Sequence, residues 1–270
     1  MGKKKINKYQ ISTKSKQEER IEENFKLLKL DGMLALYKRI AKDFFKENLT
    51  PLDLIEKLQQ AEASWDEGNR IDRWMQSAKF EINKTLKDFD FSYPTKINKT
   101  LIFELASGRY IENAANVAFL GSTGVGKTHL ASALGLEAIY AGFDVRFLSL
   151  RSLNELIDKV SDNPLKLRRL MNSLIRPKVL ILDEIALFEP NEMLAKFLVE
   201  LLLNRHLKNS TIFTTNKSFK SWGNAFGDIH TSAMVLDRIT QRIEVINIEG
   251  PSYRLKDRLD KEQIKLYGAA

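Results

Sequence analysis

Apolar residues recur at helical spacing through the first third of the chain, and this spacing predicts a small all-α domain over residues 21–85. The first part of this apolar stripe consists of Phe25, Leu28, Leu36, Ile40 and Phe44. We expect Asp31-Gly32 to interrupt the first helix, and Thr50-Pro51 to supply an N-cap and a first-turn proline for a later one. The stripe continues through Ile55, Leu58, Ala61 and Trp65. We interpret its aromatic residues as core rather than as ligand contacts.

Segments on either side of this domain, and the end of the chain, lack the helical period. Residues 1–20 are rich in lysine and poor in apolar residues, so we expect a disordered basic arm. Residues 86–100 contain Asp88-Phe89-Asp90-Phe91 and then Pro94, and we interpret them as a linker whose aromatic side chains pack onto the next domain. Residues 259–270 are assigned to a C-terminal tail.

Residues 101–258 alternate between short apolar runs and helical patterns. The runs predict strands over 116–120, 144–148, 178–184, 210–215 and 243–248. Helices are expected over 101–110 and 128–138, and two more, over 152–160 and 164–174, fill the long interval between the second and third strands. Strands that alternate with helices form a parallel sheet covered on both faces, so the predicted class is α/β with a five-stranded parallel sheet.

The composition adds mainly a charge preference to this picture. The chain has 270 residues, a formal net charge of +8 and a sequence pI of about 9.4, which favours a polyanionic partner without identifying one. No apolar run approaches the length that crosses a bilayer, and no apolar segment follows the basic N-terminus. The lack of cysteine excludes disulfides and thiolate metal sites and suits a reducing cytosol, so we expect a cytoplasmic protein.

The segment after the first predicted strand fits the pattern G-x-x-x-x-G-K-[ST] of a phosphate-binding loop. It reads Gly121-Ser122-Thr123-Gly124-Val125-Gly126-Lys127-Thr128, and His129 completes the expected nucleotide site. Glycines let backbone N–H groups converge on phosphate oxygens, Lys127 would bind the outer phosphates, and the Thr128 hydroxyl would ligate Mg²⁺. Strand, loop and helix in this order favour a nucleotide site over a glycine-rich turn that binds nothing.

Acidic and amide side chains follow the third and fourth predicted strands. Asp183-Glu184 ends an apolar run, and parallel sheets bind ligands at the carboxyl ends of their strands. We predict that Asp183 holds Mg²⁺ and that Glu184 polarises the attacking water. Asn216 is a candidate for orienting that water, although asparagine after a strand is also a common turn former. The alternative is that these two acids have no catalytic or metal-binding role and are simply solvated at the end of a strand.

Two arginines are candidates for contacts with the nucleotide. Arg238 is our candidate for an arginine finger that stabilises transition-state charge, with Arg242 as its nearest competitor, and Arg254 would contact the nucleotide in its own chain. Exposed arginines are more often simply solvated. Lys217-Ser218-Phe219 follows Asn216 without the aspartate that reads guanine, which favours ATP. The three histidines, His129, His206 and His230, are too scattered to suggest a transition-metal site.

These motifs together resemble the IstB-type transposition helpers, and less closely the DnaC-type helicase loaders. The matching segments are Phe119 to Ala131, Leu182-Asp183-Glu184-Ile185, Thr215-Asn216 with Trp222-Gly223, Leu236-Asp237-Arg238, Ile248 to Leu255, Leu30-Asp31-Gly32-Met33, and Asp88-Phe89-Asp90-Phe91. The resemblance therefore covers about residues 28–255. Two departures are Ser122 in place of the family's common proline, and Ala186-Leu187-Phe188 in place of its usual Gly-Tyr-Leu.

The resemblance implies an AAA+ ATPase that uses ATP and Mg²⁺, self-assembles on duplex DNA, remodels this target and presents it to a partner transposase of the IstA type. The clade inserts an extra helix between the second and third strands, facing the inside of the assembly. In this chain that helix carries Lys166, Arg168 and Arg169, which we predict to bind DNA. The alternative for these residues is a solvated basic face.

Other functions remain open at this point. A helicase loader of the DnaC type would share the fold and differ in its partner. A small-molecule P-loop kinase rarely has a catalytic glutamate beside the magnesium aspartate, so Asp183-Glu184 argues against that class. A scaffold that binds ATP and DNA but hydrolyses little is compatible with the same motifs.

Overall fold

The computed structural model of the chain describes residues 15–40, 49–82, 84–185, 190–218, 221–222, 226 and 229–256. Most of the predicted basic arm, Phe44, the departure at Ala186-Leu187-Phe188 and the predicted C-terminal tail lie outside these residues. The chain divides into two compact units, Met1–Asp72 and Arg73–Ala270. No helix in the described part of the chain is long and apolar enough to cross a membrane.

The first unit is built from helices α1 (Lys16–Leu27), α2 (Asp31–Ile40) and the first part of α3 (Pro51–Ala78), and the division between the units falls within α3. The sequence analysis placed residues 16–20 in the disordered arm, whereas α1 begins at Lys16. The physical reason is a capping box, in which Ser15 Oγ accepts from Glu18 N (3.2 Å) and Glu18 Oε2 accepts from Ser15 N (2.7 Å).

Helices α2 and α3 come into close contact at Gly32. A Cβ added to Gly32 would lie 2.5 Å from the Ala61 carbonyl oxygen, so this glycine permits the approach of the two helices. Asp31-Gly32 was expected to interrupt the first helix, but these residues begin α2, and the break lies just before them, where Lys29 adopts a left-handed conformation (φ 58°). Several side chains of the predicted stripe do not reach a core: Leu28, Ile55 and Trp65 are 65%, 53% and 45% exposed.

The second unit contains the predicted five-stranded parallel sheet, which confirms the fold class. Its strands are β1 (Asn116–Gly121), β2 (Val145–Ser149), β3 (Val179–Asp183), β4 (Ser210–Thr215) and β5 (Ile243–Ile248), in the order β2-β3-β4-β1-β5. The helices are α4 (Lys99–Ala106), α5 (Arg109–Glu112), α6 (Lys127–Tyr140), α7 (Leu150–Asp158), α8 (Pro164–Ile175), α9 (Glu192–Arg205) and α10 (Ile229–Thr240), and a 3₁₀ turn spans Tyr253–Leu255. The single helix expected over 101–110 is two helices, because Gly108 adopts a left-handed conformation (φ 85°) between them.

Helices cover both faces of this sheet. Leu180 and Leu182 of β3 belong to a core cluster that also contains buried residues of α7, α8, α9 and α10. Ile181 lies between them and faces the other side, where a Cβ on Gly135 of α6 would lie 2.8 Å from Ile181 Cδ1. Gly135 therefore lets α6, the helix that begins at the phosphate-binding loop, pack closely against the sheet.

A buried arginine joins α8, α9 and β4. The Arg205 guanidinium is 1% exposed and donates to the carbonyl oxygens of Leu174 (2.9 Å), Ile175 (3.0 Å), Pro177 (2.8 Å) and Ser210, while its Nε donates to Thr211 Oγ1 (3.1 Å). The C-terminal end of a helix leaves carbonyl groups unpaired, and this guanidinium satisfies those of α8. The sequence pattern gave no sign of this anchor.

Candidate nucleotide site

The phosphate-binding loop connects β1 to α6 as the sequence predicts. Gly124 (φ 85°) and Gly126 (φ 96°) adopt left-handed conformations, which side-chain-bearing residues rarely tolerate. Lys127 Nζ donates to the carbonyl oxygens of Gly121 (2.9 Å) and Ser122 (2.7 Å), so the ammonium group lies over its own loop. Burial lowers the pKa of Lys127, the carboxylates of Asp183 and Glu184 oppose this shift, and Arg254 adds to it.

Hydroxyl groups surround the carboxylate at the end of β3. Thr128 Oγ1 donates to Asp183 Oδ1 (2.9 Å), and Thr214 Oγ1 donates to the same oxygen (2.5 Å). Asp183 is 3% exposed. Because β3 and β4 are neighbours in the sheet, their carboxyl ends bring these side chains together. No sequence motif singles out Thr214, although it stands two residues before Asn216.

Glu184 is held at an unusual backbone angle beside this group. Its φ is 58°, in the region that favours glycine, and its N–H donates to Thr214 Oγ1 (2.9 Å). Strained residues of this kind cluster at functional sites, where the surrounding structure determines them. The Glu184 side chain is exposed and lines the same cavity as Asn216. The structure therefore brings together these predicted catalytic residues and the loop.

The site opens into a cavity of about 420 Å³. Its lining comprises the loop from Thr123 to Thr128, His129, Glu184, Thr214, Thr215, Asn216, Tyr253 and Arg254, together with Ile82, Lys84 and the linker residues Asp88, Phe89, Asp90, Tyr93 and Pro94. Arg254 therefore lines the same cavity as the phosphate-binding loop of its own chain. The linker forms a wall of this cavity, which the sequence analysis did not anticipate beyond expecting aromatic packing.

Phe89 and His129 attach the linker to the loop. A Cβ on Gly126 would lie 2.5 Å from Phe89 Cε2, so the ring packs directly on the loop backbone. The Phe89 and His129 rings meet edge to face at 5.2 Å, and His129 Nε2 is 2.8 Å from the Thr85 carbonyl oxygen. Burial is the largest cause that lowers the pKa of His129. His129 thus lines the cavity, while its ring nitrogen contacts Thr85, the residue just before the linker.

The segment after β5, residues 249–256 (the post-β5 segment), encloses the loop from another side. Tyr253 N donates to the Gly124 carbonyl oxygen (2.9 Å), and Tyr93 OH of the linker donates to the Ser252 carbonyl oxygen (3.2 Å). The Tyr93 and Tyr253 rings lie 4.8 Å apart, and Lys256 Nζ lies over both. The linker and the post-β5 segment are therefore joined to each other beside the phosphate-binding loop.

A third acid in this region was missed by the sequence analysis. Glu81 lines a neighbouring cavity with Ser149, the β2 residue paired in register with Asp183. Burial raises the pKa of Glu81, and the carboxylates of Asp183 and Glu184 raise it further. Its sequence neighbours carry no motif that would have singled it out.

Arg238 lies away from the nucleotide cavity of its own chain. It is exposed on α10 and lines a small crevice with Asn116, the first residue of β1, and Thr211, near the start of β4. The loop begins at the other end of β1, six residues long, which at about 3.3 Å per residue is roughly 16 Å away. Its competitor Arg242 donates to the Asn113 carbonyl oxygen (3.2 Å).

The three predicted DNA-binding residues, Lys166, Arg168 and Arg169, are all exposed on α8. The opposite face of the helix packs on the core through Leu167, Leu170, Met171 and Leu174. Within the described residues, the side chains of these three cations have no hydrogen bond or ion pair. The structure brings them together on one helix and leaves them open to a ligand.

The oxygen ligands beside the phosphate-binding loop fit Mg²⁺. Among the described residues, no group of three or more His, Cys, Asp or Glu side chains is placed to hold a metal ion. Mg²⁺ needs few protein ligands beside a nucleotide, because phosphate oxygens and water complete its octahedron. The Thr128 hydroxyl and the Asp183 carboxylate, 2.9 Å apart, are oxygen ligands of this kind.

Comparison with known proteins identifies sequence relatives. The family described as IstB-like ATP binding protein matches residues 23–261. A protein named for ATP binding in insertion sequence IS21 of Pseudomonas aeruginosa is 40% identical over 184 residues, covering 68% of this chain and 69% of the relative. A corresponding protein of insertion sequence IS232, from Bacillus thuringiensis subsp. berliner, is 33% identical over 240 residues, covering 88% of this chain and 95% of the relative.

Solved structures share the fold at lower identity. The DnaC helicase loader is 22% identical with a TM-score of 0.52, covering 66% of this chain and 99% of the loader. AMPPCP-bound DnaA from Aquifex aeolicus is 20% identical with a TM-score of 0.52, covering 70% of this chain and 57% of DnaA. These likenesses show that the chain shares the AAA+ P-loop fold over about two thirds of its length.

Proposed function

The chain belongs to the family of IstB-like ATP-binding proteins, and from this premise we propose that it is a Mg²⁺-dependent ATPase that serves DNA transposition. The observation that carries the proposal is the arrangement at the carboxyl ends of β1, β3 and β4. There the Thr128 hydroxyl binds Asp183, and Glu184 follows in a strained conformation at the cavity. A phosphate-binding loop, a metal aspartate and a neighbouring glutamate are the parts that ATP hydrolysis requires.

Each residue of the site would have a separate role in hydrolysis. Lys127 would exchange the carbonyl oxygens of Gly121 and Ser122 for the outer phosphates of ATP. Thr128 and Asp183 would hold Mg²⁺, which when bound neutralises phosphate charge. Glu184 would accept a proton from the attacking water, and Asn216 would orient that water. Thr214 supports Asp183 and the Glu184 backbone, so it is a positioning residue.

The linker and the post-β5 segment supply the remaining contacts with the nucleotide. Phe89, Tyr93 and Tyr253 offer aromatic surface to the cavity, and Arg254 offers a cation on the side of Lys127. Ser252 packs on the backbone at Gly124 and Phe89 packs on the backbone at Gly126, so the post-β5 segment and the linker are both held against the loop. Nucleotide binding should therefore stabilise the docking of linker and post-β5 segment on the loop, since all three line one cavity.

Self-assembly would complete the catalytic site. Arg238 is exposed at the amino ends of the strands, away from the loop of its own chain, which supports a role at the site of a neighbouring chain. In ATPases of this kind an arginine supplied by a neighbour stabilises transition-state charge. We accordingly infer that hydrolysis depends on contact between copies of this chain and that ATP hydrolysis controls assembly.

Duplex DNA is the polyanionic partner that the charges favour. The net charge is +8, and α8 exposes Lys166, Arg168 and Arg169 with no acidic residue in the helix. The relatives are named for insertion sequences, which supports the remodelling of target DNA and its delivery to a transposase of the IstA type. Such a protein would work in the cytoplasm. The alternative partner is a replicative helicase, favoured by the fold shared with the DnaC loader.

Two substitutions in the nucleotide site test the proposal. Lys127→Ala should abolish binding of a fluorescent ATP analogue, because it removes the cation of the loop. Glu184→Gln should keep this binding while turnover falls by about 10²- to 10⁴-fold, the usual contribution of a general base. Lys196→Ala, an exposed lysine on α9, is the matched control and should behave as the parent. Parental turnover of the Glu184→Gln protein would contradict the assignment.

A further inference from the structure

Helix α8 exposes one large apolar side chain that does not pack against the core. Leu165 is 71% exposed, the most exposed large apolar residue in the described part of the second unit. Its neighbours Leu167 and Leu170 pack against the core, and Met171 and Leu174 are buried in it. The helix is therefore anchored by its other apolar residues, and Leu165 is left for another contact.

Two arginines flank this leucine on the helix surface. Residues three and four apart are neighbours on a helix, so Arg168 and Arg169 lie on either side of Leu165 one turn later, and both are exposed. Helix α8 contains no acidic residue, and the acid that precedes it, Asp162, stands before the N-cap Asn163. An apolar tip between two guanidinium groups is complementary to a phosphate backbone with stacked bases between its strands.

We propose that Leu165 is a wedge that enters the minor groove of duplex DNA and opens a base step, while Arg168 and Arg169 bind the adjacent phosphates. The inference rests on the proposed binding of DNA by α8 and adds to it the residue that deforms the DNA. Apolar side chains inserted between base pairs unstack them and kink the duplex, and the phosphate contacts that the bend permits repay this deformation. A membrane surface would require a continuous apolar face, which α8 directs at its own core.

A wedge has to be held rigidly, and both ends of α8 are fixed. At its start, Asn163 Oδ1 accepts from Lys166 N (3.0 Å), and Pro164 occupies the first turn. At its end, Arg205 donates to the carbonyl oxygens of Leu174 and Ile175, and Asn209 Nδ2 also donates to Ile175 (2.9 Å). The base of the wedge therefore belongs to the same packed unit as the sheet.

The wedge also predicts a sequence preference without base-edge hydrogen bonds. Pyrimidine–purine steps unstack most easily, so a leucine that opens a step should favour sites that contain them. The arginines by themselves would show no such preference, because phosphate contacts carry no sequence information. The two parts of the α8 surface can thus be separated experimentally.

The test compares Leu165→Ala with the parent in the full chain, loaded with ATP, on a duplex that carries 2-aminopurine at a TA step and a fluorophore at each end. The parent should raise the 2-aminopurine fluorescence and the energy transfer between the ends, which report unstacking and bending. Leu165→Ala should lose most of both signals while its affinity falls by less than about tenfold, because Arg168 and Arg169 still bind phosphates. Leu165→Phe should keep both signals.

Leu52→Ala is the matched control. Leu52 also follows a proline at the start of a helix and is 77% exposed, but Ile55 and Glu56 occupy the positions three and four residues later. Parental unstacking and bending by Leu165→Ala would overturn the wedge, as would a loss confined to capture of a partner protein. Unchanged DNA affinity and salt slope after replacement of Lys166, Arg168 and Arg169 would instead overturn the DNA site of the proposed function.

Discussion

The nucleotide cavity and the exposed face of α8 are both rich in polar side chains, yet they are organised differently. In the cavity, Asp183 is 3% exposed and accepts hydrogen bonds from Thr128 and Thr214, and Lys127 binds loop carbonyls. On α8, Arg168 and Arg169 extend into solvent. Groups that hold one another are positioned before the ligand arrives, which favours chemistry at a fixed geometry. Free cations gain their partners on binding, which suits a phosphate backbone of any sequence.

Arg238 resembles the α8 arginines, because it is exposed and its side chain has no hydrogen bond or ion pair within the described residues, yet we assign it to chemistry. Arg238→Ala should reduce turnover by about 10³-fold or more, the usual effect of an arginine finger, while nucleotide binding persists. Mixing it with inactive Glu184→Gln protein should restore part of the activity, through interfaces that combine an intact Glu184 with an intact Arg238. Steady-state hydrolysis measured against protein concentration checks both expectations.

The matched variant is Arg242→Ala, which removes an exposed arginine one turn further on, bonded to the Asn113 carbonyl oxygen. We expect its turnover to remain near the parental value. A mixture that stays inactive although the two proteins co-assemble would rule out the trans role of Arg238.

The preorganised geometry of the nucleotide cavity can be disrupted at Gly126. Gly126→Ala places a methyl group 2.5 Å from Phe89 Cε2 and forces alanine to a φ of 96°. Left-handed backbone alone costs roughly 1–2 kcal/mol for such a residue. We expect binding of a fluorescent ATP analogue to weaken at least about tenfold, since that cost and the clash both act on the loop.

Gly68→Ala provides the control for Gly126→Ala. Nothing lies within 4 Å of the Cβ position at Gly68, which belongs to helix α3. This replacement should leave nucleotide binding unchanged and raise stability by about 0.5–1 kcal/mol, as alanine does over glycine within a helix. Equal nucleotide affinities of the two variants would show that linker docking on the loop does not matter for binding.

The role of the exposed cations of α8 is tested by the salt dependence of duplex binding. Replacement of Lys166, Arg168 and Arg169 by alanine should weaken duplex binding across sequences and flatten the slope of log K against log salt by about 0.9 for each lost phosphate contact. Binding isotherms at several salt concentrations measure this slope. Nucleotide binding by the same protein should not change, because α8 does not line the cavity. The replacement of Lys159, Lys178 and Lys208, three exposed lysines outside α8, controls for net charge.

The smallest expected effect concerns pH and His129. Burial lowers the pKa of His129 below its ordinary value of 6.5, so the folded protein favours the neutral ring. The contribution of this ring to stability is therefore complete above about pH 6.5 and is lost as the pH falls from there towards the folded-state pKa, because the unfolded chain binds the proton more readily. The melting temperature should therefore decrease as the pH falls through this range.

His129→Gln should reduce that decrease, since glutamine does not titrate and can still donate to the Thr85 carbonyl oxygen. Melting curves between about pH 5 and pH 8 for the two proteins make the comparison. An identical pH dependence in both would mean that other groups determine it.

The sequence by itself determined the parts of this protein that depend on near neighbours along the chain. Apolar runs placed all five strands to within a residue or two, and the glycine spacing from Gly121 to Gly126 located the loop, because backbone preferences and burial patterns are local. Asp183 and Glu184 followed from their position at the end of a run. The start of α1 and the break at Gly108 are local features that were missed, although Ser15 with Glu18 and the glycine itself carry the signals.

The tertiary structure decided which distant segments meet. The strand order places β4 between β3 and β1, so Thr214 reaches both Asp183 and the Glu184 backbone, and no local pattern announces this. The same holds for Phe89 on Gly126 and for Arg205 at the end of α8. These contacts arise because buried polar groups need hydrogen-bond partners and aromatic rings need a surface to pack on, and in this unit both come from other elements whose positions are set by the packing of the whole unit.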